Sequence, residues 1–321
     1  METEALEMRE VFGQMLVELG RENPNIFVLD ADLNTSTRTV LFAEEFPKRF
    51  IQCGIAEQNM LGMAAGLAAA GCIPFPTTFA VFATKRACDQ VSISIAYPRL
   101  NVKIPGCYPG LPTGKSGATH QSVEDLAIMR ATPNMLVVDP GDNEELRQVM
   151  RAAVAYDGPV YFRVTRPAVP DLPWPEGYRF AWGKAVTLRA GTDVALLATG
   201  LLTAPCLEAA AALADKGISA RVDHHPCLKP FDRDMVADAA RQCGAVVTAE
   251  NHSIIGGLGS AVAEALVEQY PVPMQRIGVK DKFVETGEIP DLFAKYETRP
   301  EDIVRAAEEA LRLKKQLLAD S

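Results

Sequence analysis

Short apolar runs rich in β-branched residues alternate with stretches of helical periodicity along the chain. Parallel strands need crossover connections that are usually helical, so this alternation predicts an α/β fold: a mostly parallel sheet with helices on both faces. The apolar runs of the first half are NIFVLDAD (25–32), RFIQCG (49–54), IPFPTTFA (73–80), NVKIPGC (101–107), NMLVVDP (134–140) and PVYFRVTR (159–166).

A proline-rich stretch interrupts the alternation. Residues 166–178 read RPAVPDLPWPEGY and contain four prolines, which is typical of a linker. We therefore predict a first domain over residues 1–170, a linker over 171–188 and a smaller α/β domain over 189–321. The apolar runs of the second domain are DVALLATG (193–200), SARVDHH (219–225), GAVVTAE (244–250) and MQRIGV (274–279).

One uncharged segment is long enough to cross a bilayer. Residues 59–84 contain no Asp, Glu, Lys or Arg. Three glycines leave its first half poor in bulky apolar residues, and Pro74 and Pro76 would break a continuous helix. We interpret it as a buried helix followed by a buried strand.

Composition narrows the function further. The 321 residues are 48% hydrophobic and carry a net charge of −9. Nucleic acids and anionic membranes bind cationic surfaces, so the negative net charge argues against either as a partner. The seven cysteines form no CxxC pair, and the first residues show no basic, apolar export signal. A cytoplasmic protein acting on small molecules is the expectation.

Three polar clusters follow predicted strands: DADLNTS (30–36), GIAEQN (54–59) and KSGATHQ (115–121). The carboxyl ends of parallel strands meet at one edge of a sheet, where functional groups collect. Glu57 in the second cluster opens a predicted helix. Alone, it is better explained as a first-turn glutamate favoured by the helix dipole.

The run GIAEQN, with the small-residue helix MLGMAAGLAAAG after it, changes that interpretation. This segment resembles the pyrimidine-binding domain shared by transketolases, 1-deoxyxylulose-5-phosphate synthases and the β subunits of 2-oxoacid dehydrogenases. The resemblance covers essentially the whole chain, and the second domain resembles the transketolase C-terminal domain. It implies that Glu57 hydrogen-bonds N1′ of the aminopyrimidine of thiamine diphosphate and so activates the cofactor.

The same resemblance assigns three further residues. Phe79 and Phe82, spaced one helical turn apart, would enclose the aminopyrimidine, although their spacing alone favours core packing. His120 in GATHQ would contact the donor's hydroxyl groups beside the reacting carbonyl, whereas a capping or core histidine is the plain alternative. Lys85 stands where many transketolases carry a third aromatic residue.

Two arginines would otherwise be interpreted as solvated surface charges. In transketolases the residues matching Arg9, Ser36 and Arg166 bind the terminal phosphate of the acceptor, and the guanidinium fork suits phosphate oxygens. The substrate is thus expected to be a phosphorylated sugar. Asp32, in DADL, matches a residue that lies close to the cofactor.

Two positions depart from the family. Tyr108 stands where transketolases have a histidine upstream of the GATHQ-like loop, and Ser116 replaces an aspartate that contacts an acceptor hydroxyl. These differences predict an acceptor other than the common aldose phosphates, for example a branched one.

Half of the cofactor site is missing from the sequence. Homologous enzymes hold the diphosphate through Mg²⁺ with a GDG motif, and no GDG occurs here. We therefore predict a separate N-terminal transketolase subunit that carries this motif, in an α2β2 heterotetramer. The predicted function is that of the C-terminal subunit of a split transketolase. A 2-oxoacid dehydrogenase β subunit and a non-catalytic stabilising partner are the alternatives.

Overall fold

Residues 6–320 are described by the computed structural model, and twelve strands in them build two sheets. The first sheet has the order β10-β5-β6-β4-β3-β1-β2 and the second β12-β11-β8-β9-β7. Every pairing is parallel except β10 with β5 and β7 with β9, which confirms the predicted mostly parallel α/β fold. The strands are β1 (Ile26–Asp30), β2 (Phe50–Gln52), β3 (Ile73–Phe79), β4 (Lys103–Cys107), β5 (Leu136–Val138), β6 (Val160–Val164), β7 (Val186–Arg189), β8 (Val194–Ala198), β9 (Ala220–His224), β10 (Cys227–Lys229), β11 (Val246–Ser253) and β12 (Met274–Val279).

Helices flank both sheets. Two π-helical turns, Phe82–Arg86 and Gln90–Ala96, follow β3, and a 3₁₀ helix, Leu111–Ser116, follows β4. The α-helices of residues 6–320 are α1 (Met8–Glu22), α2 (Asn34–Thr37), α3 (Val40–Glu45), α4 (Glu57–Ala69), α5 (Asp125–Ala131), α6 (Asn143–Ala155), α7 (Thr203–Asp215), α8 (Arg233–Cys243), α9 (Leu258–Gln269), α10 (Ile289–Lys295) and α11 (Pro300–Ala319).

The pattern of apolar runs does not predict β7 and β10. Both are short antiparallel edge strands, four and three residues long, so alternation gives them little signal. Strand β10 comes from the C-terminal half of the chain yet pairs with β5 of the first sheet. The two halves therefore share main-chain hydrogen bonds.

Helix α1 fixes the start of the described chain against the first sheet. Its apolar positions recur with helical spacing, and all of them except Val17 are buried at 3% exposure or less. The Phe12 ring lies 6.2 Å from that of Phe162 on β6. This packing places Arg9, in the first turn of α1, at the carboxyl edge of the sheet.

Helix α4 is only half buried, which corrects the prediction of a buried helix. Met60, Leu61 and Ala64 lie in the core, whereas the opposite face, with Gly62 and Met63, is exposed. The exposed residues of α4 carry no charge. In residues 6–320 no helix has the length and apolar character needed to span a membrane.

Candidate active site

Apart from Arg9 on α1 and Glu57 on α4, the predicted site residues end or follow four neighbouring strands of the first sheet. Strands β1, β3, β4 and β6 are parallel, so the residues after Asp30, Phe79, Cys107 and Val164 emerge at the same edge. Helix α4 begins at that edge as well, after β2. Residues far apart in sequence are thereby brought to one cleft.

Glu57 is the first residue of α4 and is 2% exposed. Its Oε1 accepts a hydrogen bond of 2.9 Å from Nη1 of Arg86, the one ion pair recorded for this carboxylate among residues 6–320. The surroundings of Glu57 thus include a guanidinium group. Arg86 itself is about half exposed and lies 4.2 Å from the Phe82 ring centroid.

Four rings form a continuous cluster beside this pair. Phe79 stacks on Tyr108 at 4.4 Å and on Phe82 at 5.9 Å, and His120 meets the Phe82 ring edge to face at 5.3 Å. Phe79 ends a strand and Phe82 begins a π-helical turn, so the expected shared helical turn is wrong. The Phe79 and Phe82 rings are near-parallel, with an angle of 16° between their planes.

His120 lies in the turn between the 3₁₀ helix and α5. Its ring is 6.0 Å from Phe79, and its Nδ1 shares a hydrogen bond of 2.8 Å with the Thr119 hydroxyl. The imidazole is half buried, with one side on the aromatic cluster. Such a group can donate to or accept from a substrate hydroxyl in the cleft.

Arg9, Ser36, Tyr108 and Arg166 form a second cluster, here called the terminal-anion site. Arg9 Nη1 donates to the Tyr108 hydroxyl at 2.7 Å and to the Ser36 carbonyl at 3.3 Å. The Tyr108 hydroxyl also donates to the Ser36 carbonyl, at 3.2 Å. The Arg166 guanidinium lies 5.3 Å from the Tyr108 ring centroid. Ser36 thus contributes its backbone carbonyl to these contacts.

Tyr108 is the centre of this cluster. Burial raises the pKa of its phenol, against the opposing charges of Arg9 and Arg166, so the hydroxyl stays protonated and neutral at physiological pH. Two cations therefore lie near one uncharged ring, with Arg9 and Arg166 at 5.9 and 5.3 Å from its centroid. This arrangement leaves positive charge available for an anionic ligand.

A cavity of about 300 Å³ opens next to the terminal-anion site. Arg166 and Pro167 line one side, and Gly287 and Glu288 from the C-terminal half line another. Glu7 also lines it and pairs with Arg9 at 2.6 Å, so the positive charge is partly offset.

Three predicted positions lie outside the two clusters. Lys85 pairs with Glu124 at 2.7 Å and so has a partner away from Glu57. Ser116 is exposed at the end of the 3₁₀ helix. Asp32 is exposed with φ of 63°, and its backbone N–H donates to Gln52 Oε1 at 2.8 Å.

Arg86 and Asp30 are the residues at this edge that the sequence interpretation missed. Asp30 is fully buried and accepts hydrogen bonds from the Leu33 N–H and from two threonine hydroxyls, so it organises the DADL turn. Burial raises its pKa. The signal for Arg86 was its four-residue spacing from Phe82, which puts both on one face of a helical turn.

Known protein families match both halves of the chain. The family model for the transketolase pyrimidine-binding domain matches residues 4–171, and that for the transketolase C-terminal domain matches residues 183–303. A 6-deoxy-6-sulfo-D-fructose transketolase subunit, SqwH, of Clostridium sp. (strain MSTE9) is 46% identical, with 96% of this chain and 95% of that protein covered. One of the subunits of the apulose-4-phosphate transketolase of Phocaeicola vulgatus is 39% identical, with 95% and 97% covered.

A solved structure described as "Split gene transketolase, inactive beta4 tetramer" superposes with a TM-score of 0.88 at 50% identity, covering 96% of this chain and 99% of that one. The chain therefore belongs to the transketolase family of thiamine-diphosphate-dependent transferases, as the C-terminal subunit of a split enzyme. Its full-length similarity to such subunits implies an N-terminal partner subunit and a multimeric assembly.

Proposed function

We propose that this chain, joined to its N-terminal partner, transfers a two-carbon ketol unit between phosphorylated sugars, with Glu57 activating the cofactor. The observation that carries the proposal is the convergence at one sheet edge of Glu57, the aromatic cluster and the terminal-anion site. This edge combines an acid, stacking surfaces and a pair of cations. Ketol transfer between sugar phosphates uses all three.

The residues fit the aminopyrimidine of thiamine diphosphate. Phe82 offers a partly exposed ring face for stacking, and Glu57 offers a buried carboxylate to a ring nitrogen. Phe79, 6% exposed, supports the Phe82 ring from behind. When bound, the cofactor would supply a nucleophilic carbon for reaction at the donor's carbonyl.

The residues of this chain have separate tasks in that proposal. Glu57 holds a proton between its carboxylate and N1′ of the pyrimidine, where the surrounding burial strengthens the hydrogen bond. His120 binds and orients the sugar hydroxyls near the reacting carbon. Arg9 and Arg166 bind the terminal phosphate and so set the distance from the anion to that carbon. Asp32 supports the cofactor from the DADL turn.

The partner supplies what this chain lacks. Residues 6–320 contain no cluster of three or more His, Cys, Asp or Glu side chains able to hold a metal ion, and the sequence has no GDG motif. We assign Mg²⁺ and the diphosphate to the N-terminal subunit, in a cytoplasmic α2β2 heterotetramer. The description of a similar chain as an inactive β4 tetramer supports the requirement for that second subunit.

The test is reconstitution of the two-chain enzyme with Glu57→Gln. We expect wild-type complex to catalyse thiamine-dependent ketol transfer, and the variant complex to lose roughly 100-fold or more of kcat, as expected for loss of an acid–base group. Glu208→Gln, an exposed glutamate on α7, is the matched control and should retain full rate. Equal rates for both variants would refute the role of Glu57.

The acceptor is identified with a panel of aldoses. Each phosphorylated aldose is paired with its unphosphorylated counterpart, and a sulfonated analogue tests whether any tetrahedral oxyanion suffices. We expect a higher kcat/KM for the phosphorylated member of each pair. Equal kcat/KM values for the phosphorylated and unphosphorylated members of each pair would disprove the assignment of Arg9 and Arg166.

A further inference from the structure

The loop that carries Tyr108 is held by the C-terminal half of the chain. Strand β11 of the second sheet ends beside this loop, and its residue Asn251 is 2% exposed. Asn251 Oδ1 accepts a hydrogen bond of 2.9 Å from the Leu111 N–H, and its Nδ2 donates to the Pro109 carbonyl at 3.2 Å. One side-chain amide thus engages the backbone on both sides of Gly110.

The held backbone is strained. Tyr108 has φ of 57° and Gly110 has φ of 67°, both in the left-handed region. For a non-glycine residue this conformation is unfavourable because Cβ crowds the following carbonyl, so surrounding contacts must keep Tyr108 there. Another contact on the turn is local: the Thr113 hydroxyl donates to the Tyr108 carbonyl at 2.6 Å.

The Asn251 side chain occupies the space next to Gly110 where a larger residue would place its Cβ. A Cβ atom on Gly110 would lie 2.3 Å from both the Oδ1 and Nδ2 atoms of Asn251, so the amide rests directly on the glycine backbone. The contact is therefore close as well as hydrogen-bonded. A side chain at position 110 would displace Asn251.

Asn251 is itself fixed by a buried ion network. Its backbone carbonyl accepts from Arg163 Nη1 at 3.2 Å, and Arg163 also pairs with Asp125 at 2.6 Å and Asp139 at 3.2 Å. All three charged groups are at most 4% exposed. A buried, ion-paired support of this kind restricts the movement of Asn251.

We infer that Asn251 is a positioning residue for the terminal-anion site. It holds the turn after Tyr108 in the position in which the Tyr108 hydroxyl contacts Arg9 and Ser36. Arg9 and Arg166 are thereby positioned to bind the substrate anion. The C-terminal half thereby takes part in substrate recognition as well as in packing. This inference rests on the proposed function, because it assumes that Arg9, Tyr108 and Arg166 receive a sugar's terminal anion.

The experiment measures kcat and KM of the reconstituted two-chain enzyme for a phosphorylated aldose and its neutral counterpart. For Asn251→Ala we expect KM for the phosphorylated acceptor to rise about tenfold to a hundredfold, the effect of losing two buried hydrogen bonds, with kcat nearly unchanged. The kcat/KM for the neutral acceptor should stay the same. An equal loss for both acceptors would indicate a general structural role and overturn the inference.

Lys229→Met is the matched control. Lys229, on β10, also reaches across from the C-terminal half and donates to two backbone carbonyls, those of Arg130 and Thr132, at 3.0 and 2.6 Å. We expect it to leave the preference for the phosphorylated acceptor intact. Asn251→Ser, which is too short to reach both peptide groups, should lower the preference if Asn251→Ala fails to assemble.

The outcomes separate the two claims. If the wild-type complex transfers ketol units without preferring phosphorylated acceptors, the terminal-anion assignment in the proposed function fails. If the wild type shows that preference and Asn251→Ala and Asn251→Ser keep it, the positioning role of Asn251 is overturned.

Discussion

The pairing of Glu57 with Arg86 places a planar cation beside the group proposed to activate the cofactor. Arg86 donates a hydrogen bond to Oε1 of Glu57 and lies over the Phe82 ring. It therefore contacts both residues that are proposed to bind the aminopyrimidine. A buried carboxylate needs such a partner, because burial without one costs several kcal/mol. We interpret Arg86 as the residue that orients Glu57 toward the cleft.

Arg86→Met tests this role because methionine keeps an unbranched apolar stem that can contact Phe82 but loses the charge. We expect cofactor affinity of the assembled enzyme to fall about tenfold, the usual cost of an imprecisely held contact group. Titration of the complex with thiamine diphosphate, followed by calorimetry, measures it. Lys85→Met, which breaks the neighbouring pair with Glu124, should leave affinity unchanged. Equal losses in the two variants would contradict the proposed orientation.

At the scale of elements, the alternation of strands and helices and the functional edge of the sheet were predictable from sequence. Glu57, Phe82, His120 and Arg9 follow apolar runs or open helices, and local pattern together with family resemblance locates them. The clamp of Asn251 on Leu111 was not predictable, because it joins residues 140 positions apart. Nor was the pairing of β10 with β5, since three residues carry no periodicity. Tertiary contacts of this kind leave no local trace.

Helix α4 leads from the active site to a surface that we propose binds the partner subunit. Its first residue is Glu57, and its exposed face is uncharged, with Gly62, Met63 and Gly66 open to solvent. Ile55 just before it is 76% exposed. Surface of this kind is typical of a protein interface, and it adjoins the cleft that the partner must complete.

Gly62→Glu tests this surface without disturbing the fold. A Cβ on Gly62 meets no atom within 4 Å, and replacing a helical glycine gains up to about 1 kcal/mol of helix stability. We therefore expect the chain to unfold at the same or higher temperature but to bind its partner at least about tenfold more weakly, because a charge is buried unpaired. Val267→Glu, 72% exposed on α9, is the control. Wild-type affinity for Gly62→Glu would place the partner elsewhere.

On the scale of the whole molecule, the two sheets meet around buried ionisable groups. Burial lowers the pKa of His225 to about 3 and that of His252 to about 4, whereas it raises the pKa of Glu250 to about 7. The signs oppose. The two histidines cost stability as the pH falls below 6.5, because only the unfolded chain binds their protons there. Glu250 costs stability as the pH rises from 4.5 to about 7, since its folded form keeps a proton that the unfolded chain releases.

His225 isolates one of these contributions. Neither ring nitrogen has a hydrogen-bond partner among residues 6–320, and the ring stacks on Phe231 at 5.2 Å, so the neutral form is the one the fold accommodates. His225 binds a proton near pH 6.5 in the unfolded chain, whereas in the folded chain it does so only near pH 3. His225→Leu should therefore remove about 2 kcal/mol of the stability lost between pH 7 and pH 5. Denaturant unfolding at fixed chain concentration measures it, because self-association shifts apparent stability. His225→Gln, polar but without titration, should flatten the pH dependence equally, and a wild-type slope in both variants would show that His225 does not control it.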